Sequence, residues 1–167
     1  VPLLMDDEME AFLVHQRGIE EARAAKITPL AEGNINYALK LAEGDEDDNA
    51  QRFIEWMRAC FKKNYISLVP MAEDYHALDR LQQKNLMTYS INVMRETLLR
   101  ISGATEMTRS RGDELKFIQD FSKVMTLEKI EKSFTLMNDA NYHLERNGSA
   151  KMIFLDLSIK LARTINP

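Results

Sequence analysis

A single cysteine, Cys60, is all the chain carries, which excludes an internal disulfide framework and a closed multi-cysteine zinc site. A lone thiol fits a reducing cytoplasm, and a core position is the expectation for it. Charged residues interrupt every apolar stretch short of the roughly 20 residues that span a bilayer, so no membrane partner is expected. No Gly-rich loop ending in Gly-Lys-Ser or Gly-Lys-Thr is present, which removes the usual phosphate cradle. No alternating strand pattern and no repeat of fixed period occurs either.

What is there is a chain of 167 residues, 45% hydrophobic, enough for one domain or a small module joined to a modest second unit. Val1 stands where an initiator Met is expected, and no signal-peptide pattern follows it, so the chain reads as a piece of a longer protein. The net charge of −4 hides an asymmetry. Residues 1–50 hold 4 basic and 12 acidic side chains, and the remainder holds 18 and 14. Two units with different surroundings fit this split better than one nucleic-acid-binding face.

Apolar spacing predicts helices throughout, and the fold class is all-α. Met9, Phe12 and Leu13 mark a first helix, with Asp6 and Asp7 at its positive end. A second begins near Glu20, and Pro29 is expected to end or kink it. A third follows Asn34 as N-cap, through Ile35, Ala38, Leu39 and Ala42. The run Gly44-Asp-Glu-Asp-Asp-Asn49 has nothing apolar to bury and reads as a linker. Beyond it, Asp48 and Gln51 resemble a capping box, and Phe53, Trp56, Met57, Cys60 and Phe61 follow a buried helical stripe.

Pro70 suits the first turn of the next helix, which carries Met71, Tyr75 and Leu78. Met87, Ile91, Met94, Leu98 and Ile101 form a seam that stops at Gly103, and residues 104–112 read as a loop. Phe117, Ile118, Phe121 and Val124 mark another helix, and Thr126 can cap the one after it. There Leu127, Ile130, Phe134, Met137, Asn141 and Leu144 recur at three and four, the spacing of an antiparallel helix seam. Asn147-Gly-Ser149 is a tight turn rather than a glycosylation site. The final helix, from Ala150 to about Thr164, is apolar nearly all round and should sit centrally.

Chemistry has few candidates. Glu73 and His76 make one Glu-x-x-His motif, whereas a di-metal carboxylate site needs two. His15 and His143 cannot complete it, and all three histidines are expected on solvent-facing helix surfaces. Lys62-Lys63 and Arg109-Ser-Arg111 are basic clusters that read as a helix end and a loop. The ten methionines fall on core stripes. No catalytic residue, no metal and no cofactor is expected.

Two stretches carry a resemblance. Ala31-Glu-Gly-Asn-Ile-Asn-Tyr-Ala-Leu-Lys-Leu41, with the opening Val1-Pro-Leu3, resembles the lid segment of AAA+ clamp-loader subunits. His143-Leu-Glu-Arg-Asn147, followed by Lys151, Phe154, Asp156-Leu157 and Leu161, is similar to the closing helix pair of the delta-prime subunits of bacterial DNA polymerase III. Phe53-Ile-Glu-Trp-Met-Arg58 and Gln83-Lys84 follow the same order.

The resemblance implies a lid-like unit over 1–44, an acidic linker over 45–50 and a helical collar domain over 51–167, with the ATPase-fold domain lying outside the chain. It implies a rigid, non-hydrolysing role in DNA replication, in the cytoplasm. The partners would be the other clamp-loader subunits, through the collar, and DNA only indirectly. In hydrolysing subunits the lid turn carries an Arg, and the matching position here is Asn36, a neutral amide that cannot stabilise a transferring phosphoryl group. Tight ATP binding and hydrolysis are therefore not expected. Glu131, Asn138 and Glu145 on the seam helix are the expected subunit contacts, and residues 51–167 alone are expected to fold. An unrelated helical adaptor or regulator is the rival reading, and a helical metalloenzyme the third.

Overall fold

Side-chain oxygens stand where several of the helices begin, and they explain boundaries that apolar spacing alone leaves open. The structure, a computed structural model, describes residues 3–43, 46–107 and 112–167. Helix α1 (Asp6–Ala11) widens into a π turn over Phe12–Gln16; α2 (Glu21–Ala31) and α3 (Ile35–Glu43) follow. Then come α4 (Glu46–Phe61), α5 (Tyr65–Ala77), α6 (Arg80–Ile101), a 3-10 turn (Thr105–Met107), α7 (Gly112–Val124), α8 (Leu127–Glu145) and α9 (Ala150–Ile165). No strand occurs among the described residues, and the all-α expectation holds.

The caps are specific. Asn34 Oδ1 accepts from Tyr37 N at 3.1 Å at the head of α3, and Asn64 Oδ1 accepts from Ser67 N at 3.3 Å at the head of α5. Asp79 and Gln82 form a reciprocal capping box that opens α6, at 2.8 and 3.1 Å. Thr126 and Ser149 cap α8 and α9. Between α5 and α6, Gln83 Nε2 donates to the carbonyls of Tyr75, His76 and Leu78, and Tyr75 Oη donates to Gln83 O at 2.9 Å. The two N–H groups of one buried amide are thus shared among three of the carbonyls that end α5.

Several local expectations need correction, among them the core place of all ten methionines, since Met5, Met107 and Met152 are largely exposed. Pro29 does not end α2, which runs on to Ala31. Pro70 is interior to α5 rather than in its first turn, because Asn64 caps the helix earlier. Gly44 and Asp45 lie outside the described residues, but from Glu46 the acidic run is helix rather than linker. Acids near a helix N-terminus are favoured by the dipole, so such a run suits a helix start as well as a loop. Asp48 and Gln51 consequently lie inside α4, where Gln51 Nε2 donates to Glu55 Oε1 at 2.7 Å, and they form no capping box. Phe61, expected in the buried stripe, is 46% exposed at the end of α4.

The core is one continuous cluster contributed by every α-helix from α1 to α9. Helix α9 packs against α4, α5 and α8, and α6 packs against α8, α7 and α4. Phe154 of α9 is sandwiched between Trp56 of α4 and Tyr75 of α5, with ring centroids 4.5 and 4.7 Å away and near-parallel planes. Trp56 Nε1 donates to Ser158 Oγ at 2.8 Å, which locks α4 against α9. A second aromatic centre surrounds Phe53, whose ring meets those of Trp56, Tyr89, Phe117 and Phe121 edge-on and so joins α4, α6 and α7.

Helix direction follows from these pairs. Trp56 meets Phe154 and Phe61 O accepts from Asn166 Nδ2 at 2.8 Å, so α4 and α9 run parallel and end together. Arg80 Nη2 donates to Leu144 O at 2.9 Å, so α6 and α8 are antiparallel, as the spacing on α8 predicts. Leu4 N donates to Gly33 O at 2.9 Å, which ties the N-terminal strap to the α2–α3 turn. Tyr37 Oη donates to Asn85 Oδ1 at 3.3 Å and joins α3 to α6.

Candidate functional site

The sequence-selected residues do not converge. Asn36 is exposed on the first turn of α3, just after the left-handed residues Glu32 and Gly33. Glu131, Asn138 and Glu145 are all exposed along α8, which itself packs on α6 and α9 through Ile130, Met137 and Leu144. Asn138 Nδ2 donates to Phe134 O at 2.9 Å, one turn back on its own helix. Glu145 Oε1 accepts from Asn141 Nδ2 at 3.5 Å. Glu131 and Asn138 belong to an outward polar ridge, and Glu145 stands at its end beside a crevice.

The histidine and carboxylate candidates lie apart as well. Glu73 and His76 are exposed on α5, and Glu73 Oε1 faces Lys151 Nζ at 3.4 Å in an ion pair open to solvent. Such pairs contribute about 0–1 kcal/mol. His15 and His143 are exposed too. No group of three His, Cys, Asp or Glu among the described residues stands ready to hold a metal. Lys62 is exposed and Lys63 takes a left-handed conformation, while Arg109, Ser110 and Arg111 lie outside the described residues. No helix among the described residues is long and apolar enough to cross a membrane.

Cys60 is fully buried, and its Sγ donates to Ser158 O at 3.6 Å. Burial pushes its thiol up from 9.0 to about 12, which leaves it protonated and unreactive at neutral pH. Burial likewise raises the Tyr75 phenol above its usual range.

Two of the concavities among the described residues bear on these side chains. The first, about 240 Å³, lies among α4, α5, α6 and α9; Trp56, Tyr75 and Phe154 form its floor, with Arg52, Glu55 and Asp74 at its rim. The second, about 510 Å³, is an open crevice between the α2–α3 turn and the α6–α8 pair. Tyr37, Lys40, Lys84, Asn85, Asn141 and Glu145 line it, so one of the three expected contact residues belongs to this crevice.

Sequence reasoning missed a group at the α4–α5 corner. Phe61, Tyr65, Ile66 and Val69 are all substantially exposed there, and Ile66 reaches 88%. The signal was available, since Ile66 and Val69 are three apart on the side of α5 opposite its buried Leu68, Ala72 and Tyr75. Comparison with known protein families, with curated proteins and with solved structures finds no match for this chain.

Proposed function

We propose that the chain is a structural and oligomerisation part of a clamp loader, of the delta-prime kind, acting in DNA replication through subunit contacts rather than chemistry. One observation carries the reading. The stretch from His143 to Leu161, which carries the family likeness, forms the end of α8, a turn with Asn147 in the left-handed region, and α9 with Lys151, Phe154, Asp156, Leu157 and Leu161 along it. An Asn-containing turn before a Lys-x-x-Phe-x-x-Leu helix is what the resemblance implies. Asn36, exposed and neutral at the head of α3, fits a lid that supplies no cation to a nucleotide.

On this reading α9 holds the domain rigid while the outer face of α8 meets a neighbouring subunit, with Glu131, Asn138 and Glu145 among the contacts. The partners are the other clamp-loader subunits, and DNA is met only through the assembly. The test is reconstitution of the whole chain with purified clamp-loader subunits from the same cell, followed by size-exclusion chromatography. Co-elution is expected, and reversing Glu131 and Glu145 to Lys should weaken it while changing stability by less than about 0.5 kcal/mol. A folded chain that elutes alone at micromolar concentrations sinks the proposal and leaves a helical adaptor outside replication in its place.

A further inference from the structure

In a chain of net charge −4, one end of the bundle has the opposite character. No acidic side chain occurs between Glu55 and Glu73, and none after Asp156. The Phe61–Asn166 hydrogen bond brings those two stretches together, so the ends of α4 and α9 and the start of α5 share one surface. Arg58, Lys62 and Arg163 are exposed on it, and Lys63 is half-buried. In the same corner stand Phe61 at 46%, Tyr65 at 41%, Ile66 at 88% and Val69 at 44% exposure. Helix dipoles and ordinary surface composition explain part of this pattern. Basic residues in the last turns of α4 and α9 complement the helix dipoles, and single exposed apolar residues are ordinary. Four large apolar side chains within nine consecutive positions, beside three or four cations with no acid among them, are not explained that way.

We propose that this corner is a docking surface for a helix of another protein, a helix with an apolar stripe flanked by aspartate or glutamate. Charge complementarity selects that occupant, and side-chain shape selects it over the alternatives. Ile66 and Val69, one turn apart on α5, make a ridge of branched aliphatic groups that fits between the ridges of a second helix. Phe61 and Tyr65 are rings, but the most exposed member of the patch, Ile66, is aliphatic and offers no face on which a base of a single strand could stack. The apolar groups lie on α5 and the end of α4, while Arg58 and Arg163 stand on the last turns of α4 and α9 and Lys62 and Lys63 in the turn between α4 and α5, so cations border an apolar centre. The surface is distinct from the α8 ridge and does not depend on the clamp-loader reading.

The test uses the whole chain and a designed helical peptide whose leucines recur at helical spacing with glutamate elsewhere, beside a second peptide with lysine at every glutamate position. Binding by isothermal titration calorimetry should favour the acidic peptide by about tenfold or more, and added salt should weaken it. Ile66→Glu combined with Val69→Glu should cost at least about tenfold, and Lys62→Glu with Lys63→Glu a smaller factor. Circular dichroism should show both variants folded, because Ile66 and Lys62 are exposed. The proposal is overturned if the two peptides bind alike, if the acidic one does not bind at all, or if the Ile66/Val69 variant binds as well as the parent. It is equally overturned if those substitutions abolish binding to phosphatidylserine vesicles or self-association instead of peptide binding.

Discussion

Phe154 offers the sharpest test of how the bundle is held together. Its ring is 3% exposed and stacks on Trp56 at 4.5 Å and on Tyr75 at 4.7 Å, so one side chain joins α4, α5 and α9. Phe154→Ala should cost about 3–5 kcal/mol, from lost apolar burial plus the cavity that three partly fixed helices cannot close. Phe154→Leu keeps most of the volume and loses mainly the two stacking contacts, so roughly 1–3 kcal/mol is expected. For a chain of this size the alanine variant should melt roughly 10 °C lower. Trp56 is the only tryptophan and touches the altered ring directly, so urea unfolding followed by its fluorescence reads the same site that is perturbed. The midpoint should fall with an unchanged slope. A loss below about 1 kcal/mol for Phe154→Ala at unchanged slope would refute the reasoning, and would mean that α9 is held elsewhere.

Other substitutions separate further contributions. Gly33→Ala should destabilise the α2–α3 turn on two counts, since Gly33 has φ +81° and an added Cβ would lie 2.7 Å from the Leu4 carbonyl oxygen; loss of amide-exchange protection at Leu4 N should accompany a lower melting temperature. Asp79→Ala removes one half of the α6 capping box and should cost about 0.5–2 kcal/mol in chemical denaturation, with Gln82→Ala smaller. Asn92 is buried with neither side-chain polar atom hydrogen-bonded, so Asn92→Leu should raise stability by about 1 kcal/mol, and an equal loss would contradict this account of α6. Because burial raises the Cys60 thiol to about 12 in the folded state, the unfolded chain releases that proton first, and stability should fall as pH rises through the window from about 9 to about 12. Cys60→Ala should lessen the slope across that window, leaving the part due to the buried Tyr75 phenol, and thiol labelling at neutral pH should proceed only with unfolding.

Helices were legible wherever burial and hydrophobicity coincide. On α8 the three-and-four spacing points directly to Ile130, Met137 and Leu144, all buried against neighbours. Helix α6 shows where that signal weakens. Its apolar seam contains Met87 and Met94, yet Gln83, Asn85, Ser90, Asn92, Glu96 and Thr97 are buried as well. The Ser90 and Thr97 hydroxyls donate to the carbonyls of Leu86 and Val93 one turn back, at 2.7 and 2.8 Å, so these polar groups enter the interior already satisfied. Gln83 does so by answering three carbonyls at the end of α5, a partnership between two helices that no spacing rule within one helix can reveal. The same limit explains Phe61, which keeps the period of the α4 stripe but stands at the helix end, past the neighbours that cover the other members.

The surface was harder to read than the core, for a physical reason. A buried stripe is fixed by a period along one helix, whereas a docking surface is assembled from ends of several helices and has no period. Lys62 and Lys63 are visible in the sequence as a basic pair, and Arg163 stands a hundred positions later; only the parallel course of α4 and α9, fixed by Trp56 on Phe154 and by Asn166 on Phe61, brings them to one side. The α8 ridge differs, because Glu131, Asn138 and Glu145 are seven apart on a single helix and so lie near one face by geometry alone. If both surfaces bind, the bundle would hold two partners independently, one on the acidic ridge of α8 and one at the basic corner beside α5. Charge reversal at Glu131 and Glu145 should then leave binding of the acidic peptide unchanged, and Ile66→Glu should leave assembly through α8 unchanged. Loss of both by either substitution would instead mean one shared interface.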